Sequence, residues 1–497
     1  MLLSIEALNK KNNMSTQTII LIGVGVYIVI MLMVGIYSSK KTHSIAEFAV
    51  AGRSMPLWLC ATTIVATWFG GGMMIGGAGA AYDDGMLGVI ADPFGGALCL
   101  VLIGLFFVRL IRRLRFYSFV EFIEQRFGTT AGAICGFISA TSSLMWVAGM
   151  LVAFGVIFET LTGVPLAIGI IGGSIVVIAY TSLGGMLAVA LTDFIQMMII
   201  AVGLIMLLVV VLIDVGGWSA ISSQLPEHTF RMIPLEHTLD RWLIYLRMWL
   251  IFGLGDIVSQ SLLQRAMSAK SERVAQQSFY VGAVAYIGFA MIPVLLGIIG
   301  SVTMPGLENS ESIIPALALE HLHPVAIAVF VGALLAAIMS SCDSAILAAA
   351  TIISTNLLPL VKPDPSERLR LVVIRAAIPV GGALAVVGAL NAQVVFDTIL
   401  DANLLILAAV IGPFILGVWW RKANRMGALA GMWAGLGSWL LASTFWPELP
   451  GDLIGFGACM VTMFVVTPLT QTFDPPRGLV DHDGNEVELD NRLGVLR

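Results

Sequence analysis

Apolar runs of about twenty residues, parted by short polar stretches, follow one another along almost the whole chain. A helix of that length crosses the hydrocarbon core of a bilayer, so each run reads as a transmembrane helix. About thirteen spans are predicted, centred near residues 27, 70, 98, 145, 172, 202, 252, 288, 340, 381, 407, 435 and 461. The first is too long for a signal-peptide core and lacks a clear cleavage site, so it is expected to be retained. Residues before Met14 are polar and patternless, which leaves Met1 and Met14 both readable as the start. Alternate connections carry the positive charge: Lys40, Lys41 and Arg53; Arg109, Arg112, Arg113, Arg115 and Arg126; Arg265, Lys270 and Arg273; Lys362, Arg368, Arg370 and Arg375; Arg421, Lys422 and Arg425. The intervening ones are acidic, short or polar, as at Tyr82-Asp83-Asp84-Gly85. This asymmetry predicts an external N-terminus and a cytoplasmic C-terminus in a plasma (inner) membrane. The longest stretches outside the spans are residues 216–240 and 305–323, both external, and a tail from about 473 that reads as polar and mobile.

Composition sharpens that picture. Of 497 residues 58% are hydrophobic and 11% charged, with a mean hydropathy of +0.95. Soluble chains carry about 25% charged residues, so the expected fold is an all-α polytopic membrane protein whose main partner is lipid. Net charge is −5, and since the charges sit in loops it points to no partner, nucleic acid included. No obligate protein partner is evident. Five cysteines (Cys60, Cys99, Cys135, Cys342, Cys459) are scattered in apolar segments without metal spacing, as buried thiols are. The tail run DHDGNEVELDNR does not follow the twelve-residue calcium loop. A membrane enzyme would need a nucleophile and base, or metal ligands, inside a span. All six histidines (43, 228, 237, 321, 323 and 482) fall in loops or the tail, so neither enzyme nor cofactor is expected.

Several spans carry residues that a plain lipid-facing rod would not use. Residues 61–82 contain Gly70, Gly71 and Gly72 in a row, each costing about 1 kcal/mol in a helix interior relative to alanine. Two readings stay open: close helix packing through small residues, or an unwound segment lining a cavity, as secondary transporters use for ion and substrate sites. Asp92 lies beside Pro93, Gly95 and Gly96 in the third span, where a carboxylate faces water or a partner, or caps a kink. Trp146 sits mid-span near Ser142 and Ser143, away from the interfacial belts. Residues 333–345 bring Ser340, Ser341, Asp343 and Ser344 together among alanines; hydroxyls and carbonyls suit a hard cation such as sodium, whereas serines bonded to the preceding turn would be purely structural.

Residues 180–196 read YxxxGGxxxVxxTDxxQ, with Gly184-Gly185 as a tight connection and Thr192-Asp193 entering the next helix, a pair that also suits a helix cap. With the Glu47-Phe48 to Pro56 entry and Gln260, Gln264-Arg265, Ser268-Ala269, this pattern resembles the sodium/solute symporter family, which includes sugar, proline, sialic acid and choline carriers. The resemblance covers about residues 45–425. It implies two inverted five-helix repeats with broken first helices: helices two to six over 56–215, and seven to eleven over 241–420 after an external loop at 216–240. Residues 1–55, the two helices of 421–472 and the tail 473–497 would be peripheral. It also implies a coupling sodium between the first broken helix and the ninth, held by the carbonyls of Ala66, Phe69 and Ala337 and the hydroxyls of Ser340 and Ser341. Asp193, Asp343 and Ser344 are expected at a second sodium or on the ion's release path; a purely structural hydrogen-bond network is the alternative.

Within the family, residues 66–72, the run around Trp146 and Ser340–Ser344 are most similar to the choline-carrier branch. Trp68 and Trp146 would then face an ammonium group by cation–π attraction. The chain departs from that branch at Gly96 and Ser259, where further aromatics are expected, and offers Asp92, Asp256 and Ser259 instead. The predicted substrate set is Trp68, Gly72, Met73, Asp92, Gly96, Trp146, Asp256 and Ser259, for a small cationic or zwitterionic solute imported with sodium. Carboxylates, sugar derivatives, proton coupling, a channel and a transporter-like sensor stay open. Arg247 is read as a carboxylate attractor or as half of an ion pair.

Overall fold

The computed structural model describes residues 44–391 and 403–487, with scattered positions between 23 and 36. The described residues form helices and no strand, with only two isolated bridges, Met55 with Ala269 and Val480 with Glu486. Three helices break, one at the glycine triplet after Trp68, one at Phe107 within an apolar run, and one at Ser259. Leu57–Trp68 (α1) and Gly72–Leu87 (α2) meet at 56°, Ile90–Phe106 (α3) and Val108–Leu114 (α4) at 59°. After Phe119–Phe127 (α5), Thr129–Thr160 (α6), Leu166–Ala179 (α7) and Gly185–Asp214 (α8), a third bend of 48° separates Leu239–Val258 (α9) from Gln260–Ser268 (α10). The remainder comprises Glu272–Thr303 (α11), Pro324–Val361 (α12), Glu367–Asn391 (α13), Leu404–Ala409 (α14), Ile411–Trp419 (α15), Arg425–Phe445 (α16) and Gly451–Thr470 (α17).

Seven of these helices are long and apolar enough to cross a membrane, and ten if each bent pair counts as one. The predicted number of thirteen is not reached among the described residues. The span centred near 27 lies almost wholly outside them. The one near 172 is short, and the one near 407 is interrupted at Val410 between α14 and α15.

Both bent pairs that begin at a glycine-rich break point into the same core. Helix α12 packs on α8, α6 and α1, and α10 packs between α1 and α12. The glycine triplet unites the two readings of residues 61–82. The helix is broken, and the break is also a close approach: a Cβ on Gly70 would stand 2.1 Å from Ser341 Oγ, and one on Gly71 2.5 Å from Ala153 Cβ. At Gly185 φ is +63°, and an added Cβ would meet Phe48 O at 2.8 Å. Glycine is required there for both backbone angle and space.

Two expectations about polar residues need correction, and one reading left open is settled. Thr192 and Asp193 do not cap a helix start, because α8 begins at Gly185 and both lie two turns inside it, buried. Gln260, Gln264, Arg265 and Ser268 are not in a cytoplasmic connection: they form α10, and Arg265 is fully buried, so it carries no information on orientation. Arg247 is half of an ion pair, its Nε 2.9 and 3.0 Å from the two carboxylate oxygens of Asp452.

The tail is docked rather than free. Arg126 donates to the Arg477 carbonyl, Val480 N to Gln125 Oε1 at 3.2 Å and His482 N to Leu114 O at 2.9 Å, while Arg115 pairs with Asp483. The His482 ring lies edge-on to Tyr117, 4.8 Å between centroids. Burial, then the charge of Arg53, holds its imidazole below the ordinary 6.5; Asp483 opposes this, and Arg115 and Arg370 add to it. A histidine depressed on docking favours the docked form fully above 6.5 and loses that contribution as pH falls and the released ring takes up the proton. Amide-exchange protection over residues 477–487 should therefore weaken between about pH 7.5 and about pH 5.5, after correction for intrinsic exchange. His482→Phe should keep protection independent of pH, and equal pH dependence in both proteins would count against the assignment.

Candidate functional site

The break after Trp68 frees backbone that a continuous helix would occupy. Gly70 N would ordinarily bond Ala66 O four residues back; here it bonds Trp68 O at 2.7 Å, and Phe69 leaves the helix with ψ 69°. Ala66 O instead faces two hydroxyls of α12, Ser340 Oγ at 3.0 Å and Ser341 Oγ at 3.4 Å, and Ser340 Oγ also lies 2.9 Å from Ala337 O. All of these residues are buried. The alanines of α12 and the bare Gly70 allow the approach, as small residues do between membrane helices. What results is a neutral cage of carbonyl and hydroxyl oxygens, which fits a hard monovalent cation and not a transition metal. No group of three or more His, Cys, Asp or Glu side chains arranged for a metal occurs among the described residues. The structure brings Ala66, Ala337, Ser340 and Ser341 together, with Phe69 at the helix end beside them.

One layer away lies the cluster of Asp193, Asp343 and Ser344, joined by two residues that sequence reasoning did not place there, Arg265 and Thr63. Asp193 of α8 accepts a hydrogen bond from Thr63 of α1 and lies 3.6 Å from Arg265 Nη2 of α10. Arg265 also donates to Ser261 O at 2.8 Å, to Thr63 Oγ1 at 3.3 Å and to Ser344, whose hydroxyl lies 3.2 Å from Asp343 Oδ1. Each residue is buried, and a charge so placed is tolerated only when paired. Asp193 Oδ1 has no hydrogen-bond partner among the described residues. Asp193, Asp343 and Ser344 are thus drawn together through the one arginine.

Beyond Trp68 the aromatic set is larger than the sequence suggested. Trp68 makes edge contacts with Tyr286 (5.8 Å between centroids) and Phe252 (6.4 Å), and Phe252 meets Trp146 at 6.1 Å. Such edge-to-face pairs are the favoured geometry of aromatic rings. The departure at Gly96 has a packing reason: a Cβ there would lie 3.2 Å from Tyr286 Cε1 and 3.3 Å from Trp68 Cζ3. Tyr286, from α11, takes the space that a third-helix side chain would need, and its hydroxyl donates to Asp92 Oδ1 at 2.5 Å.

Trp68, Trp146, Ser142, Asp256, Ser259 and Asn403 are among the residues lining a cavity of about 20 Å³ at the α9 break. That is room for about one water molecule, so a solute enters only if the helices part. Gly72, Met73, Asp92 and Gly96 do not line it. Met73 turns back on its own helix toward Gly77, and Asp92 and Gly96 stand behind Trp68. Phe252, Tyr286, Thr63 and Asn403 were missed. Thr63 and Tyr286 show in the sequence only as hydroxyls within apolar runs, and Asn403 only as an amide at the start of one.

The profile of the Sodium:solute symporter family matches residues 48–435. The chain is 30% identical to high-affinity choline transporter 1 of Drosophila melanogaster over 82% of its own length and 68% of the relative's. For the human high affinity choline transporter 1 the figures are 29%, 84% and 75%. A sodium/proline symporter of Staphylococcus aureus is 26% identical over 97% of this chain and 98% of its own. Among solved structures, a Na+-coupled sialic acid symporter in a substrate-bound outward-open state superposes with a TM-score of 0.79 at 20% identity, covering 92% of this chain and 98% of that one. A nucleobase-cation-symport-1 transporter gives 0.62 at 14% identity, covering 91% and 100%. At such identities the structures speak for a shared fold, the broken-helix fold of sodium-coupled carriers. On the profile match and the full-length relatives, the chain belongs to the sodium:solute symporter family.

Proposed function

We propose that this protein imports a small organic cation or zwitterion together with sodium, by alternating access, across the plasma membrane. The observation that carries the reading is the Ala66 carbonyl, released from its helix and met by Ser340 and Ser341 of the facing one. Sodium would be held by the carbonyls of Ala66, Phe69 and Ala337 with those two hydroxyls, tying α1 to α12. The aromatic cavity beside it would take the solute between Trp68 and Trp146, with Asp256 and Ser259 as polar contacts. Since the same helix end serves both, ion and solute each favour the other's binding by the same factor. A membrane potential adds about 2.3 kcal/mol per charge per 100 mV to inward movement of the cation.

Asp193, Asp343 and Ser344 would form a second cation position or the release path. The unpartnered Asp193 Oδ1 supports it, and Arg265 would have to yield part of its hold for an ion to stay there. An external N-terminus and cytoplasmic C-terminus are supported by the gathering of Arg112, Arg113 and Arg115 with Ala269, Glu272 and the docked tail at one end of the molecule. The inverted-repeat boundaries given above complete the proposal.

Purified protein in proteoliposomes tests it. An inward sodium gradient should drive uptake of labelled solute from an amine and amino-acid panel, and preloaded solute should exchange against its gradient, as only a carrier allows. Uptake that persists with potassium in place of sodium but follows a proton gradient would overturn sodium coupling. Flux without counterflow would overturn the carrier.

A further inference from the structure

A cavity of about 500 Å³ lies at the far end of α2 from the ion site. Small-ligand sites are commonly about 300–1,000 Å³. Three elements wall it: the end of α2 with Tyr82, Asp83 and Asp84, the loop residues 224–235, and the end of α11 at Ser301 and Val302. No residue lines both this cavity and the aromatic one. At about 1.5 Å per residue, Ser301 stands about 22 Å along α11 from Tyr286, which packs on Trp68.

The walls are fastened to one another. Met86 N donates to Thr229 O at 2.8 Å, and at Gly85, where φ is +59°, an added Cβ would lie 2.5 Å from that same oxygen. The Tyr82 hydroxyl donates to Met304 O at 2.8 Å and accepts from Leu307 N at 3.2 Å. Asp83 accepts from the Ser310 hydroxyl at 2.6 Å. Asp84 on α2 and Arg231 on the loop line the cavity from different walls, and neither has an ion pair among the described residues. Fixed charges of opposite sign on separate walls attract a molecule that carries both complements. A simple cation meets Asp84 and Asp83 but is opposed by Arg231, and a simple anion meets the reverse. Ile233, Leu235 and Val302 offer apolar contact to the body between the two charges.

We propose that this cavity is a second binding site, for a small zwitterion of the amino-acid or betaine type, with its carboxylate at Arg231 and its ammonium at Asp84 and Asp83. The site goes beyond the reading of the central cavity and does not depend on it. Lying at the end of the molecule that the charge asymmetry marks as external, it gathers solute ahead of the central cavity, as a charged cleft raises the local concentration of its ligand.

Cysteine protection on the purified full-length protein is the test. All five native cysteines are buried, whereas Ile233 lines the cavity and is 44% exposed, so Ile233→Cys presents a thiol to a neutral, water-soluble maleimide. Bound ligand slows labelling in proportion to the protein left empty. At saturating concentration glycine betaine and L-proline should each slow it at least about fivefold, and tetramethylammonium and acetate far less. Arg231→Gln and Asp84→Asn should each remove the protection, which should persist in the Ser340→Ala/Ser341→Ala background because the ion site lies apart. No protection by either zwitterion overturns the site, and equal protection by tetramethylammonium or acetate overturns the zwitterion class. Protection lost with the two serines, or kept in both Arg231→Gln and Asp84→Asn, places the ligand elsewhere and overturns the inference while leaving sodium-coupled import standing. Protection that holds while sodium fails to drive uptake would remove the transport reading alone.

Discussion

Arg265→Met should lower the stability of the purified protein by about 3–5 kcal/mol, the usual consequence of removing one partner from a buried ion pair. Arg265 is fully buried and is the cation beside Asp193, 3.6 Å from Oδ2, while also donating to Ser344, Ser261 and Thr63. Without it a carboxylate faces a low-dielectric core with one hydroxyl for company. The same reasoning predicts rescue. Arg265→Met combined with Asp193→Leu removes both charges, and replacing a buried pair by apolar residues is often neutral or better. Thermal melts of the three proteins in one detergent check this. A single variant that melts with the parent, or a double variant no better than the single, would contradict the pairing.

The second large effect belongs to Gly70. Its missing Cβ leaves the space occupied by Ser341, whose Oγ and Cβ would lie 2.1 and 2.7 Å from the added carbon. Those distances are far inside van der Waals contact, and overfilling a packed core costs about 1–3 kcal/mol even when neighbours yield. Here yielding means moving α1 off α12, which separates the Ala66 carbonyl from its hydroxyls. Gly70→Ala should raise the sodium concentration for half-maximal uptake by at least about tenfold, equivalent to about 1.4 kcal/mol. Gly172→Ala and Gly288→Ala serve as controls, since an added Cβ at either meets nothing within 4 Å. Unchanged sodium dependence in Gly70→Ala would show that the two helices are not held at the distance described.

What could be read from the sequence was what a single segment displays. The glycine triplet in residues 61–82 and the hydroxyls at 340, 341 and 344 are local departures from an apolar run, and each breaks a rule that lipid imposes on its own helix. Tyr286 and Phe252 could not be assigned so, because one more aromatic in a membrane helix is unremarkable until packing shows what it touches. The aromatic set seemed short at Gly96 only because its replacement comes from a helix almost two hundred residues later. Arg265 was misread for a related reason. Basic residues alternate between connections, and an arginine six residues past a break fits that rhythm until α10 is seen to fold into the core. Asp193 suffered from local logic of the opposite kind: a Thr-Asp pair looks like a cap, yet the chain turns at Gly185, where φ is positive.

The most direct test of the ion site is the change in melting temperature on replacing potassium by sodium at constant ionic strength, for the parent and for Ser340→Ala/Ser341→Ala. A ligand bound to the folded state alone raises stability in proportion to the logarithm of its occupancy function. The parent should show a saturable, sodium-specific rise, and the double variant none while remaining folded at its potassium baseline. An undiminished sodium response in the double variant would place the ion elsewhere and remove the physical link between α1 and α12 on which coupling depends.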